Sequence, residues 1–323
     1  MSDLDTKPPE YTMRCLEPDG PEELLITARR VYLGKTTEVA RALPDRQIRM
    51  IGAWCFLDHY GPEDVSDRPG MQVWAHPHTG LQTVSWLLEG EIEHRDSVGS
   101  LARVRPGELN IMTAGRGIVH TELSPVDKPP TLHGLQLWVA LPDAARASAP
   151  RFEAFADLPV LQFDGGHGQV LVGELAGVRS RAQGQTPLCA ADLSLHPGAE
   201  VILPLAPGFE YGVFVVQGEV DVESSTTGAD QLLYLGSGRR SLRLRSTAGG
   251  RLMLLGGQPF EEEIVMWWNF VGRSHAEVAG YRAEWEQRAP RFPPVVDRRE
   301  RVMEAPPMPT VPLKPRPRRR VAR

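Results

Sequence analysis

Short runs of apolar and β-branched residues recur along the chain, and turn residues close each of them. In the first half such runs cover residues 49–57, 81–88 and 133–140, with Gly61-Pro62 and Pro106-Gly107 among the turns between them. Many short strands with frequent turns are typical of β-barrels and β-sandwiches. The pattern therefore predicts an all-β fold.

The second half repeats the first in a degenerate form. The stretch WLLEGEIE at residues 86–93 matches FVVQGEVD at residues 214–221 in its hydrophobic pattern, and the Pro106-Gly107 turn is echoed at Leu235-Gly236. A chain of 323 residues is long enough for two such units, each with a substantial core. We therefore predict two β units of related architecture.

One helix is predicted near the end of the second unit. Ser274 and Glu277 have the spacing of a capping box, in which each side chain accepts a hydrogen bond at the start of the helix. Val278, Tyr281 and Trp285 follow at i, i+3 and i+7, which is the spacing of one helix face. We expect this helix to close the folded part of the chain.

Composition sets the boundaries between the parts of the chain. The first residues are polar, the middle connector is rich in Ala and Pro, and the Pro- and Arg-rich end has too few apolar residues to bury. The predicted organisation is a lead-in at 1–24, a first β unit at 25–145, a connector at 146–160, a second β unit with its helix at 161–288, and an extended or disordered tail at 289–323.

The formal charge of −5 is unevenly spread, because the last ten residues carry six basic groups and no acid. The rest of the chain is therefore at −11, and an acidic surface repels nucleic acid. We expect no direct nucleic-acid binding by the folded units. The basic end is a solvated terminus or a docking segment for an acidic partner.

Cysteine usage indicates the compartment. Cys15, Cys55 and Cys189 form neither a CxxC pair nor a disulfide framework, which is typical of a reduced intracellular protein. The N-terminus lacks the pattern of a signal peptide and no apolar run approaches a membrane span. A cytoplasmic protein without a membrane partner is expected. Cys55 could sense oxidation only if it were exposed with a lowered pKa.

Two short motifs suggest chemistry. His76 and His78 form the first, and His120 and Glu122 the second; in each, the two side chains are at i and i+2, on the same face of a strand. On neighbouring strands they would bring three imidazoles and one carboxylate to one point. Such a set suits Fe(II), Mn(II), Ni(II) or Cu(II) and leaves open positions for a substrate or dioxygen. Unrelated surface or hydrogen-bonded histidines are the alternative.

The second unit lacks these motifs. Counting back from the matching turn glycines, Gly90 and Gly218, places Pro204 and Ala206 where the first unit has His76 and His78. Neither side chain offers a metal donor. We predict that the second unit binds no metal.

Several blocks together resemble the signatures of the pirin family, which are bicupins of the cupin superfamily. They are residues 76–91, 112–122 and 133–139, with residues 56–62 upstream, and the resemblance runs from about Arg30 to Tyr281. It implies two jelly-roll β-barrel or sandwich domains and a degenerate, metal-free second cupin.

The resemblance also implies a ligand set. One divalent metal, most often iron, would be held by His76, His78, His120 and Glu122, with manganese, nickel, copper or zinc as alternatives. Many cupins have a glutamate four residues after the second histidine, where this chain has Gln82. Gln82 would then belong to the wall of the site, and Glu122 would supply the carboxylate.

Two roles remain open for each of the other residues near these motifs. His94 and His133 could donate hydrogen bonds to the ligands, or be ordinary hydrogen-bonded histidines. Trp74, Trp86 and Trp138 could line an apolar pocket, although a tryptophan in a small barrel usually belongs to the core.

Three functions remain open, and the resemblance to pirins implies the first two. The first is a quercetin 2,3-dioxygenase-like oxygenase acting on a small aromatic, flavonol-like substrate and dioxygen, with Glu122 as catalytic base. The second is a metal- and redox-responsive regulator that binds a protein partner, such as a transcription factor or a metabolic enzyme. The third is a metal-stabilised bicupin with an unrelated small-molecule substrate.

Overall fold

Antiparallel strands joined by turns and loops form the framework of the described part of the protein. The computed structural model describes residues 22–33, 37–295 and 301–318. The strands of the first half are β1 (Glu23–Thr27), β2 (Arg29–Leu33), β3 (Thr37–Leu43), β4 (Trp54–Asp64), β5 (Gln72–His78), β6 (Leu81–Glu89), β7 (Ile92–Asp96), β8 (Leu101–Val104), β9 (Leu109–Thr113), β10 (Ile118–Leu123), β11 (Thr131–Ala140) and β12 (Arg151–Phe155).

The second half continues in the same way and ends in a helix. Its elements are β13 (Val160–Phe163), β14 (Gly166–Leu175), β15 (Val178–Arg179), β16 (Leu188–Leu195), β17 (Ala199–Pro204), β18 (Glu210–Val222), β19 (Ser225–Gly228), β20 (Gln231–Leu235), β21 (Ser241–Ser246), β22 (Gly250–Gly257), β23 (Val265–Trp267), β24 (Phe270–Gly272) and α1 (His275–Glu286).

The sheets form two sandwich-like units. The first has a seven-stranded sheet, ordered β12-β9-β6-β11-β4-β3-β2, and a four-stranded sheet, ordered β5-β10-β7-β8. The second is a connected sheet that follows β1-β20-β18-β22-β16-β14-β13, with β17 and β21 pairing at its side. The predicted all-β fold of two cupin-like units with one closing helix is confirmed.

Two segments differ from the predicted boundaries. β1 pairs with β20 and so belongs to the sheet of the second unit, although the sequence pattern assigns it to the first. β12, within the predicted connector, pairs with β9 at the edge of the first unit. Hydrophobic pattern identifies a strand but does not specify its partner, which explains both differences.

Neither face of β6 is exposed to solvent. Ser85 and Leu87 face the interior of the first unit, whereas Val84 and Trp86 join a core that is shared with the second unit. Eight of its nine residues are therefore buried. By contrast, β17 and β21 alternate strictly between buried and exposed, since one of their faces meets solvent.

Two tryptophans connect the units. The indole N–H of Trp54 donates to the carbonyl oxygens of Cys189 and Gly256, each at 3.2 Å. The indole of Trp86 donates to the Asp192 carboxylate at 2.8 Å. The shared core extends from these side chains across both units. Neither unit completes its hydrophobic core alone.

The helix begins as predicted. The Ser274 hydroxyl accepts from the backbone N–H of Glu277 at the N-cap, and Val278 and Trp285 are buried. These two side chains pack in a cluster that also contains Val119 of β10. The helix therefore closes over the first unit. No helix in the described ranges has the length and apolar character to cross a bilayer.

Residues 301–318 are extended, as the composition suggests, but they pack on the folded body. The Met303 N–H donates to the Ala75 carbonyl, Arg316 and Ile264 exchange two backbone hydrogen bonds, and the Arg318 carbonyl accepts from Arg49. Apolar side chains of this segment add to the aromatic cluster of α1 and β24. The segment has too few apolar residues for a core of its own, but it packs against the cluster of α1 and β24.

Candidate metal centre

Three histidines meet between β5 and β10. His76 and His78 alternate on β5, and the antiparallel register sets His120 directly opposite His76. Ring centroids are 4.3 Å apart for His76 and His120, 4.9 Å for His76 and His78, and 5.0 Å for His78 and His120. One nitrogen of each ring lies within 4.8 Å of the others. The structure thus brings together the three imidazoles of the two motifs.

Glu122 lies beside this group without belonging to it. The β5–β10 register shifts between His120 and Glu122, and this irregularity places Glu122 opposite Val73. Its carboxylate is buried, lines the same cavity as His76 and His78, and accepts from the Ser85 hydroxyl at 3.5 Å. The expected convergence of four donors is therefore a cluster of three with a carboxylate on the adjoining wall.

Backbone carbonyls fix the tautomers of two histidines. Nδ1 of His76 donates to the carbonyl of Trp74 at 2.8 Å, and Nδ1 of His78 donates to the carbonyl of Asn269 at 3.1 Å. A carbonyl oxygen only accepts, so the proton of each neutral ring is on Nδ1. Both rings therefore carry a lone pair on Nε2, the form that ligates a metal.

A carboxylate fixes the third histidine through an intermediate ring. Nε2 of His94 faces the Asp96 carboxylate at 3.2 Å, and its Nδ1 faces Nδ1 of His120 at 3.4 Å. When His94 is neutral and donates to Asp96, its Nδ1 must accept from His120. Nε2 of His120 then carries the lone pair. That atom is buried and has no hydrogen-bond partner among the described residues.

Burial sets the charge of these groups. It lowers the pKa of His76 to about 4 and holds the pKa of His78 and His120 well below the usual range. It raises the pKa of Glu122 to about 7. At neutral pH the cluster therefore offers three uncharged imidazoles. Three buried lone pairs, one of them without a protein partner, match what a divalent transition metal requires.

Aromatic side chains form one wall of the cavity beside the cluster. Phe56 and Trp138 stack with centroids 4.1 Å apart, and the ring of Trp138 meets His78 edge-on at 5.1 Å. Asp58 also lines the cavity and is paired with Arg41 through two bonds of 2.7 Å. The cavity measures about 30 Å³.

The other residues predicted for the site have different hydrogen-bond partners in the structure. His94 contacts His120, but with its Nδ1 as the acceptor and not as the expected donor. His133 instead bonds to His59 at 2.8 Å, and Gln82 donates to Thr113 at 2.9 Å. Neither of these contacts involves the three imidazoles. Gln82 is buried on β6, on the same face as Val84 and Trp86, and its side chain does not line the cavity beside the imidazoles.

The three tryptophans considered in the sequence analysis lie in different parts of the structure. Trp138 lines the cavity, whereas Trp86 belongs to the shared core. Trp74 contributes its carbonyl to His76, and its ring lies under the Arg301 guanidinium at 5.0 Å. Burial raises the pKa of the Cys55 thiol to about 12, so Cys55 lacks the exposed thiolate that an oxidation sensor needs.

The sequence analysis missed several residues of the site, among them Asp96, Asn269 and Met303. Asp96 has a signal in retrospect, because it stands at i+2 from His94 on β7 and so shares its face. Asn269 sits in the two-residue turn between β23 and β24, next to Trp268, whose φ of 53° is left-handed. Met303 comes from the C-terminal segment. Nothing in the sequence near the histidine motifs indicates these last two.

The second unit has a different interior. Val201 and Leu203 of β17 and Leu242 and Leu244 of β21 are all buried in an aliphatic core. Pro204 and Ala206, the counterparts of the first two histidines, line a separate cleft of about 700 Å³. No metal-binding group of side chains is found in the described part of this unit. Its lack of metal remains a prediction.

Comparison with known proteins agrees with this architecture. The family model described as Pirin matches residues 36–139, and the model described as Pirin C-terminal cupin domain matches residues 190–293. A Pseudomonas aeruginosa protein that carries the provisional name quercetin 2,3-dioxygenase is 46% identical over 277 residues, covering 85% of this chain and 88% of the relative.

Two further similarities extend the comparison. A pirin-like protein of Caulobacter vibrioides is 36% identical over 273 residues, covering 82% of this chain and 93% of the relative. The crystal structure of a quercetin 2,3-dioxygenase from Acinetobacter baumannii superposes with a TM-score of 0.86 at 41% identity, covering 90% of this chain and 96% of that one.

Proposed function

The chain belongs to the pirin family, and from that premise we propose that it is a metal-dependent dioxygenase of the quercetin 2,3-dioxygenase type. The observation that carries the proposal is the cluster of three buried, uncharged imidazoles beside a buried carboxylate. The names of two relatives support the reaction class. A small aromatic, flavonol-like molecule and dioxygen are the proposed substrates.

Four residues are proposed to hold one divalent metal. His76, His78 and His120 would ligate through Nε2, and Glu122 would add a carboxylate oxygen from the adjoining wall. We propose iron(II), with manganese, nickel, copper or zinc as alternatives. The bound metal would supply a Lewis acid and a redox centre that brings substrate and dioxygen together. His94 and Asp96 keep the third imidazole in its ligating tautomer.

Glu122 is the proposed base. A flavonol must lose its 3-hydroxyl proton. Two carboxylates line the cavity beside His76 and His78, and because Asp58 is paired with Arg41, Glu122 is the one that we propose as the base. Burial raises the pKa of Glu122 to about 7 in the metal-free protein, which makes this carboxylate a better proton acceptor than an ordinary one. Ser85 donates to this carboxylate and helps orient it. The stacked rings of Phe56 and Trp138 provide a flat apolar wall.

The test is turnover after anaerobic loading with iron(II). Quercetin and oxygen are added, and loss of the flavonol absorbance is followed together with release of carbon monoxide. We expect metal-dependent turnover that His76→Ala abolishes and that Glu122→Gln reduces by roughly 100-fold or more while metal is retained. His196→Ala, on the surface of the second unit, is the matched control. Absence of turnover with iron, manganese, nickel and copper, despite one bound metal per chain, would refute the proposal.

A second candidate is a metal- and redox-responsive regulator that binds a transcription factor or a metabolic enzyme. The small volume of the cavity favours it, since a flavonol does not fit in about 30 Å³. Here the oxidation state of the metal would change the surface around the site. Capture of the same partners by metal-free, ferrous and ferric protein would exclude this function.

A further inference from the structure

We propose that Met303, on the C-terminal segment, determines which molecules reach the three imidazoles. Small molecules such as water, dioxygen or azide enter the folded protein, whereas a planar aromatic ring enters only when residues 301–303 leave their place beside β5. This inference rests on the proposed function, because it concerns access to the same metal site.

Cavity size is the first support. The space beside His76, His78 and Glu122 measures about 30 Å³, room for about two water molecules at the roughly 10–15 Å³ that each needs. Sites for drug-sized ligands measure about 300–1,000 Å³. A small diatomic molecule fits, and a flavonol does not. Part of the wall must therefore move before an aromatic substrate can approach.

Most of the wall is too firmly held to move. Phe56 and Asp58 lie on β4 and Gln136 and Trp138 on β11. These two strands pair in the middle of the seven-stranded sheet, in unbroken register from Gly134 to Trp138. Asn269 is held because its neighbour Phe270 is fully buried and Val271 donates to the carbonyl of Thr79. Moving any of these would disrupt a barrel strand or the aromatic cluster.

Residues 301–303 are outside the sheets; three hydrogen bonds hold their backbone, and the Met303 side chain packs against two hydrophobic clusters. The backbone N–H of Met303 donates to the Ala75 carbonyl at 2.8 Å, and the Ala75 N–H donates to the Arg301 carbonyl at 3.2 Å. The Trp285 indole donates to the Met303 carbonyl at 3.0 Å. The residue between, Val302, is 44% exposed and forms only an isolated bridge to β5. Short, partly exposed contacts of this kind open locally more readily than a sheet.

The chemistry of the side chain suits this role. Methionine is unbranched and flexible, so its half-buried thioether can fill the mouth of the cavity and swing aside without a backbone change. Arg301 stacks on Trp74 at 5.0 Å and holds the segment to the rim of the site. Side chain and segment thus supply two successive steps of opening, the thioether first and residues 301–303 second.

The experiment measures ligand access in full-length protein loaded with cobalt(II), whose visible spectrum reports on its ligands. Azide is the small probe and catechol the planar aromatic probe, each followed by stopped-flow absorbance without oxygen. In Met303→Ala we expect catechol to associate about tenfold faster, since opening no longer exposes a buried thioether, and azide to associate at the wild-type rate. Arg301→Ala should accelerate catechol as well, although it leaves the Met303 side chain intact.

Met308→Ala is the matched control, because it makes the same change in the same segment at a position that does not line the cavity. Equal catechol rates in wild type, Met303→Ala and Arg301→Ala would overturn the inference, as would equal acceleration of both probes. Failure of the wild-type protein to hold cobalt, or retention of cobalt by His76→Ala, would instead refute the proposed metal centre. Circular dichroism checks that each variant is folded.

Discussion

Replacing Glu122 with glutamine should stabilise the metal-free protein at alkaline pH. Glutamine keeps the size of the side chain and can still accept from Ser85, but it cannot ionise. The wild-type carboxyl is buried, and its pKa is raised from an ordinary 4.5 to about 7. Between these two pH values the folded state binds more protons than the unfolded state, so stability falls as pH rises.

The size of the effect follows from the pKa. A rise from 4.5 to about 7 corresponds to about 3 kcal/mol at about 1.4 kcal/mol per pH unit. This stability is fully present below pH 4.5 and is lost above pH 7. The free energy of unfolding of Glu122→Gln relative to wild type should therefore be about 2–3 kcal/mol higher at about pH 8 than at about pH 5. The low pKa of His76 affects both proteins equally and cancels in the difference.

Urea denaturation of chelator-treated protein at the two pH values measures this difference. Glu200→Gln is the control, because Glu200 is an exposed carboxylate on β17. A stability difference between Glu122→Gln and wild type that is the same at both pH values would refute the argument from burial. When a divalent metal is added, wild type should become more stable than Glu122→Gln. The anionic carboxylate then gains a partner, and glutamine does not.

Three further predictions concern other parts of the molecule. Asp96→Asn should weaken metal binding by about 10–100-fold in a chelator competition, since His94 loses the anion that fixes its tautomer, whereas Asp127→Asn at an exposed position should not. Cys55 and Cys189 should resist Ellman's reagent until denaturant is added, in a variant without the third cysteine; labelling of the native protein would contradict their burial. Trp86→Phe should lower the free energy of unfolding by about 1–3 kcal/mol, because the buried Asp192 carboxylate loses a donor. Thermal denaturation measures this loss, and a smaller value would show that this bond between the units contributes little.

Local rules explain what the sequence could predict. The pairing of Ser274 with Glu277 depends on residues three apart, and the shared face of His76 and His78 depends on residues two apart. Such spacings fix geometry once the type of element is known. The two histidine motifs could be predicted to meet because they lie on strands of the same unit.

Features that depend on distant segments could not be predicted. Asn269 reaches His78 across 191 positions in the chain, and Met303 reaches the cavity from a segment whose composition suggests disorder. The offset of Glu122 arises from an irregularity in the pairing of β5 and β10, which no pattern of alternation contains. These positions follow from packing partners, and periodicity says nothing about partners.

The core that both units share has a consequence for how the chain could be divided. Because Trp54 and Trp86 donate across the boundary and β1 completes the sheet of the other half, a cut between the two family domains would leave each fragment with an exposed apolar face and missing partners. Each fragment expressed alone should aggregate. Co-expressed fragments cut near residue 147, between β11 and β12, should reassemble, which would make the protein a candidate for complementation assays.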